Sequence, residues 1–188
     1  MSIEQRPLRR DARRNREALV TAAREIFGAR GLDAPLEEIA RRAGVAIGTL
    51  YNRFPTRDAL IDAAFLPTLH ASLARTEEAL ALDDPWEGFV RFLEASITLQ
   101  VADRGFTEVC ARTFDAASEI EKAKRAIGER MERLIAGAQE SGGLRADFRL
   151  ADLGMVFAAT TGAPHWRRNL GLVLDGLRAD AAHPLPAD

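Results

Sequence analysis

Between Ala46 and Arg57 the chain gathers a threonine hydroxyl, a phenol, a carboxamide and two guanidinium groups, at Thr49, Tyr51, Asn52, Arg53 and Arg57. Groups of these types donate hydrogen bonds to anionic oxygens, and phosphate is the anion they suit. Leu50 and Phe54 lie four residues apart and are expected to pack inward. That spacing leaves Ala46, Ile47, Gly48, Thr49, Tyr51, Asn52 and Arg53 to form an outward face. The small residues at its start let a helix backbone approach a groove closely, and Arg57 adds charge just beyond its end.

The elements that would carry this face are short helices. Leu36, Ile39, Ala40 and Ala43 repeat at helical spacing, with Pro35 suited to a first helical turn and Glu37 and Glu38 favourable at that positive end. Gly44 ends this helix, and Ala43-Gly44-Val45 makes a short glycine-containing turn into a second helix over about Ala46–Phe54, stopped by Pro55. Before them, Leu19, Ala22, Ala23, Ile26 and Phe27 define one face of a helix over residues 13–30, with Gly31 as its stop. After them, Thr56 reads as the cap of a fourth helix bearing Leu60, Ile61, Ala64 and Phe65, which Pro67 kinks or ends. Further helices are expected from Asp84-Pro85, with Trp86, Phe89, Val90, Leu93, Ile97 and Val101 on one stripe, and over about 118–140, 150–160 and 166–177, with a short apolar segment at 106–114. Strand-like alternation and repeats are absent, so the fold class is all-α.

Other chemistry finds little footing. His70, His165 and His183 are far apart and match no metal-ligand spacing. The one cysteine, Cys110, has no evident histidine partner and excludes an internal disulfide framework, in keeping with a reducing cytoplasm. Glu77-Glu78 and Asp83-Asp84 read as solvated faces or caps, and phosphate-loop and dinucleotide fingerprints are missing. We therefore expect no catalytic residues, no metal and no cofactor. No apolar run reaches the roughly 20 residues that a membrane span needs, and the arginine-rich start lacks the apolar block of a secretory signal.

The net charge of −2 conceals an asymmetry. Residues 1–60 carry +4, nearly all of it from six arginines in residues 1–16, and the remainder carries −6. A basic arm leading into a compact helical unit fits a polyanionic partner.

The string Glu38-Ile39-Ala40-Arg41-Arg42-Ala43-Gly44-Val45, followed by Gly48-Thr49-Leu50-Tyr51-Asn52-Arg53-Phe54-Pro55-Thr56-Arg57-Asp58-Ala59-Leu60, resembles the signature of the TetR family of repressors, and the match extends over about residues 13–65. The resemblance implies an N-terminal three-helix helix-turn-helix domain that holds a double-stranded DNA operator and a helical C-terminal domain. It also implies a small-molecule inducer pocket and a homodimer formed through the last two helices, about residues 147–178. Carried over by position, it makes Thr49, Tyr51, Asn52 and Arg57 phosphate contacts and places Ile47 and Gly48 at the variable base-reading positions. The DNA-binding set is then Ala46, Ile47, Gly48, Thr49, Tyr51, Asn52, Arg53 and Arg57. Ala46 replaces a frequent Ser/Thr cap, Ala34-Pro35 replaces a capped start to the second helix, Asn52 stands where His or Tyr is common, and Arg57 where Lys is. Because Ile47 and Gly48 offer almost no hydrogen-bonding code, Arg53 or the N-terminal arginines are expected to carry more of the recognition.

For the ligand, Phe89, Phe92, Leu93, Ser96, Phe106, Cys110, Phe114 and Met131 are the candidates, as aromatic, apolar or small polar groups on C-terminal helices. The expected division is a flexible basic arm at 1–12, a DNA-binding domain at 13–58, a ligand-binding and dimerisation domain at 59–178, and a disordered tail at 179–188. Alternatives on the same scaffold are an activator, a regulator without a ligand, and a helical binding module that no longer touches DNA.

Overall fold

The computed structural model describes residues 5–181 and 183–184, and among them every named element is helical apart from one isolated bridge between Leu144 and Arg178. In chain order the helices are α1 (Gln5–Arg30), α2 (Leu36–Arg42), α3 (Ile47–Arg53), α4 (Arg57–Leu80), α5 (Pro85–Ala102), α6 (Arg104–Ala111), α7 (Glu119–Glu140), α8 (Leu153–Thr161) and α9 (Trp166–Leu177), with single 3-10 turns at Leu150–Asp152 and Ala179–Ala181. The all-α class holds, and α9 has the bounds the periodicity gives.

Several boundaries move. Helix α1 begins at Gln5, so residues 5–12 are helical where the sequence reading starts the helix at residue 13; residues 1–4 lie outside the described residues. Pro35 is the extended residue before α2 and not its first helical residue. Helix α4 runs on through Pro67. Pro67 is exposed, so the carbonyl that loses its helical partner can turn to water. Val101, placed at the end of the α5 stripe, is 43% exposed, whereas Phe89, Leu93 and Ile97 are fully buried.

The largest revision concerns α6. Two compact units form, one from the chain up to residue 68 together with 103–121, the other from 69–102 together with residues from 122 onward. The segment 103–121, expected in the C-terminal domain, thus packs with the N-terminal helices. Asp103 caps α6 by accepting from the Phe106 N–H at 2.8 Å, and its other carboxylate oxygen pairs with Arg24 of α1 at 3.1 Å. Arg24 lies over the Phe65 ring, 4.8 Å from its centre. Gly105 admits the close approach of α6 to α1, since a Cβ there would stand 2.7 Å from both the Phe27 carbonyl and the Phe65 ring.

The second unit has its own core of Phe89, Phe92, Leu93, Ile97, Leu134, Ile135, Ala138, Leu144, Phe148, Leu153, Val156, Leu170 and Leu177. Buried Arg145 closes its C-terminal side. The Arg145 backbone N–H donates to Leu177 at 2.9 Å, its guanidinium donates to Gly176 at 3.1 Å, and Ala179 donates to Gly143 at 3.2 Å. The chain just past α9 is thereby tied down, and Ala179–Ala181 form a 3-10 turn at the start of the segment expected as a tail. Residues 182 and 185–188 lie outside the described residues.

Candidate nucleic-acid interface

The outward face of α3 depends on how α2 stops. Gly44 adopts φ +70°, the left-handed conformation that glycine tolerates best. Its N–H donates to Arg41 at 3.1 Å and the Val45 N–H donates to Ala40 at 3.0 Å. This pair of bonds closes the α2 end in the Schellman pattern and sends the chain into α3. Helix α3 is seven residues long, too short to be stable alone. It is anchored by Leu50, at 0% exposure, and by Phe54 just past its end, at 3%. Arg16 of α1 sits 5.3 Å from the Phe54 ring centre.

With Leu50 and Phe54 inward, the rest of α3 faces out as the spacing requires. Ala46, Gly48, Asn52 and Arg53 are exposed, Ile47 and Thr49 are half-buried, and Tyr51 is 48% exposed, a large aromatic left in solvent. The helix holds no acidic residue, and Arg53 lies in its last turn. Around it, Glu25 draws Arg42 at 2.7 Å and Glu38 pairs with Arg30. Thr56 caps α4 as expected, accepting from the Ala59 N–H at 3.1 Å.

Arg57 has a role the sequence does not show. Its Nη1 donates to the Leu32 carbonyl at 2.8 Å and the Ala34 carbonyl at 2.7 Å. Those carbonyls form the turn that leads into α2, where Pro35 provides no side-chain cap. From the other side Glu108 of α6 accepts from the Leu32 N–H at 2.7 Å and pairs with Arg104 at 2.9 Å. Burial pushes the Glu108 carboxyl up. The bonds from Leu32 and Arg104, with the charges of Arg104 and Arg112, outweigh that and hold it below the usual glutamate range. The turn before the helix-turn-helix is therefore gripped on its N–H and its C=O by two distant side chains. Glu108 lies 76 residues from Leu32, and no sequence signal points to it.

The eight ligand candidates do not come together in one unit. Phe106, Cys110 and Phe114 belong to the first unit, with Phe106 and Phe114 buried. Phe89, Phe92, Leu93, Ser96 and Met131 belong to the second, where the first three are core and Met131 packs against that core. Ser96 and Phe92 line a small cavity with Ser72, Arg75, Thr76, Ala95 and Leu99. A larger open cleft, about 680 Å³, is lined by none of the candidates and includes Trp86, Glu87, Asp175 and Arg178. Among the described residues no three His, Cys, Asp or Glu side chains are placed to hold a metal ion, and no helix is long and apolar enough to cross a membrane.

A family model described as bacterial regulatory proteins, TetR family, matches residues 19–64, and one described as the C-terminal domain of SbtR-like transcriptional regulators matches residues 84–179. The chain is similar to the HTH-type transcriptional regulator UidR of Escherichia coli (strain K12), 29% identical over 153 residues, which span 75% of this chain and 74% of UidR. Among solved structures it is similar to a TetR transcription regulatory protein from Mycobacterium vanbaalenii, 32% identical, covering 92% of this chain and 99% of that one with a TM-score of 0.57. RolR, solved in complex with resorcinol, covers 95% of this chain and 98% of its own at 24% identity and a TM-score of 0.57, a likeness of fold.

Proposed function

Because the chain belongs to the TetR family of transcriptional regulators, we propose that it is a homodimeric repressor that leaves a palindromic operator when a small molecule binds. The observation that carries the DNA-binding half is the α3 face, with Thr49, Tyr51, Asn52 and Arg53 turned outward over a fixed Leu50 and Phe54. In this reading Thr49, Tyr51 and Asn52 hold phosphates, Arg53 adds charge, and Ala46, Ile47 and Gly48 lie against base edges. Arg57 acts first as the clamp on the Leu32–Ala34 turn. A guanidinium carries five N–H donors, so those on Nε and Nη2 remain for a phosphate.

Dimerisation through α8 and α9 is supported by Met155 and Leu172, large apolar side chains that are 65% and 63% exposed. Two such subunits would set their α3 helices about 34–36 Å apart, one turn of duplex DNA. Release by a ligand requires a difference in operator affinity between the free and bound forms, typically worth about 1–3 kcal/mol. The second unit supplies the ligand site, and the protein works in the cytoplasm.

The test is selection of binding sites from random duplex DNA with the full chain, followed by titration of the selected site at several salt concentrations. A palindromic site bound by two chains, with affinity falling linearly on log–log axes, is the expected result. Failure to enrich any sequence would overturn the operator reading.

A further inference from the structure

The second unit contains a further feature, the open cleft between α5 and α9. Its volume, about 680 Å³, lies within the size range of small-molecule sites. Trp86 supplies an aromatic surface, Val90 and Leu174 the apolar walls, and Glu87, Asp175 and Asp180 three carboxylates, of which Glu87 is shared with Arg91 at 2.8 Å and Asp180 faces Arg178.

The aromatic wall is rigid. Trp86 packs at 5.9 Å on buried Phe89, which in turn meets the Phe148 ring edge-on at 5.8 Å. On its other side Gly143 lies so near that a Cβ there would stand 2.6 Å from the Trp86 Cβ. The rim is rigid too, because Arg178 directly follows α9 and bridges to Leu144. A wall fixed in this way is pre-organised, and binding to it loses little to ordering the protein.

The lining chooses the sign of the ligand. The Arg178 guanidinium already lies 4.9 Å from the Trp86 ring centre, and only 3.8 Å separates its Nε from the Asp180 carboxylate. A cation between the Trp86 ring and an acidic rim is thus the arrangement the cleft accommodates. Arg178 is 44% exposed and can turn outward to water, and such exposed cation–π pairs are weak. We infer that this cleft binds a small organic cation with a flat apolar portion, which displaces Arg178 from Trp86 and is neutralised by Asp175 and Asp180, with Glu87 shared between the ligand and Arg91. Making this the effector site rests on the ligand-responsive reading above, whereas the binding itself does not.

Calorimetric titration of the full chain with N-benzylpyridinium, and with benzylsulfonate as an anion of similar size, tests the inference without DNA. The expected result is saturable binding of the cation alone, tightened several-fold in Arg178→Ala and weakened at least tenfold in the double variant Glu87→Gln, Asp175→Asn. Location is read from Trp86 fluorescence in a Trp166→Phe background, where the cation should quench with the calorimetric midpoint. All four substituted positions are at least partly exposed, and circular dichroism checks that each variant is folded. No saturable cation binding, equal binding of the anion, or a midpoint unmoved by the double variant would overturn the proposal. An operator that stays bound while the cation saturates the cleft would count against the effector role and leave the site standing.

Discussion

Helices α3 and α6 are both short, seven and eight residues, and both belong to the first unit, yet they are built in opposite ways. Helix α6 is fastened along its length. Asp103 caps it, Gly105 brings it against α1, Phe106 and Val109 are buried, and Glu108 grips the turn before α2. Helix α3 buries one side chain of its own, Leu50, and has no side-chain cap. A short helix takes its stability from tertiary packing, so α6 reads as a fastener inside the unit. The sparse anchoring of α3 leaves most of its surface for a partner.

Substitutions can break this contrast, beginning with the largest effect. Leu50→Ala removes the one anchor inside α3 and should lower stability by about 2–5 kcal/mol in urea unfolding, with DNA binding lost in proportion. A loss below about 1 kcal/mol would mean that α3 is held by something else. Next come the glycines. Gly105→Val pushes a branched side chain into the Phe27 carbonyl and the Phe65 ring and should cost about 1–3 kcal/mol. At Gly48 a Cβ would meet nothing within 4 Å, so Gly48→Ala should gain up to about 1 kcal/mol of helix stability. Opposite signs at the two glycines confirm the contrast; a shared sign refutes it.

Arginine charge separates the two roles at the proposed DNA face. Arg53→Gln, on the open face, should reduce the slope of log affinity against log salt by about 0.9 with little change in stability. Arg57→Gln should cost stability, because two carbonyls of the Leu32–Ala34 turn lose their donor. If only the slope moved in Arg57→Gln, the clamp would be incidental.

The smallest effect is a pH dependence. The Glu108 carboxyl is held below the ordinary glutamate value of about 4.3. Its contribution is therefore complete above the unfolded value and is lost as pH falls through the folded one. Thermal unfolding of the native chain and of Glu108→Gln should differ most near neutral pH and converge in acid. A constant gap would remove the carboxylate's charge from the account.

The sequence announced what is local. The i, i+4 pair Leu50 and Phe54, the turn at Gly44, the cap at Thr56 and the bounds of α9 follow from periodicity and from the chemistry of helix ends. Distant pairings left no such trace. Phe106 and Val109 mark a buried face on α6, but nothing in them says that the face belongs to α1 instead of the second unit. The same holds for Glu108 on Leu32, for Arg57 turned back on its own turn, and for Arg145 fastening the chain after α9. Each depends on which surfaces meet, and spacing within one helix does not encode that. The ligand candidates scattered for this reason too, because aromatic residues at helical spacing are core residues first.

The central claim is that the polar face of α3 holds DNA without holding up the fold. It is tested most directly by the triple variant Thr49→Ala, Tyr51→Phe, Asn52→Ala, titrated by fluorescence anisotropy on the selected operator beside the native chain. The account predicts an unchanged melting temperature and an affinity at least a hundredfold weaker, as the loss of two or three hydrogen bonds to charged phosphates implies at about 1.5–3 kcal/mol each. An affinity equal to that of the native chain, with the fold intact, would contradict it.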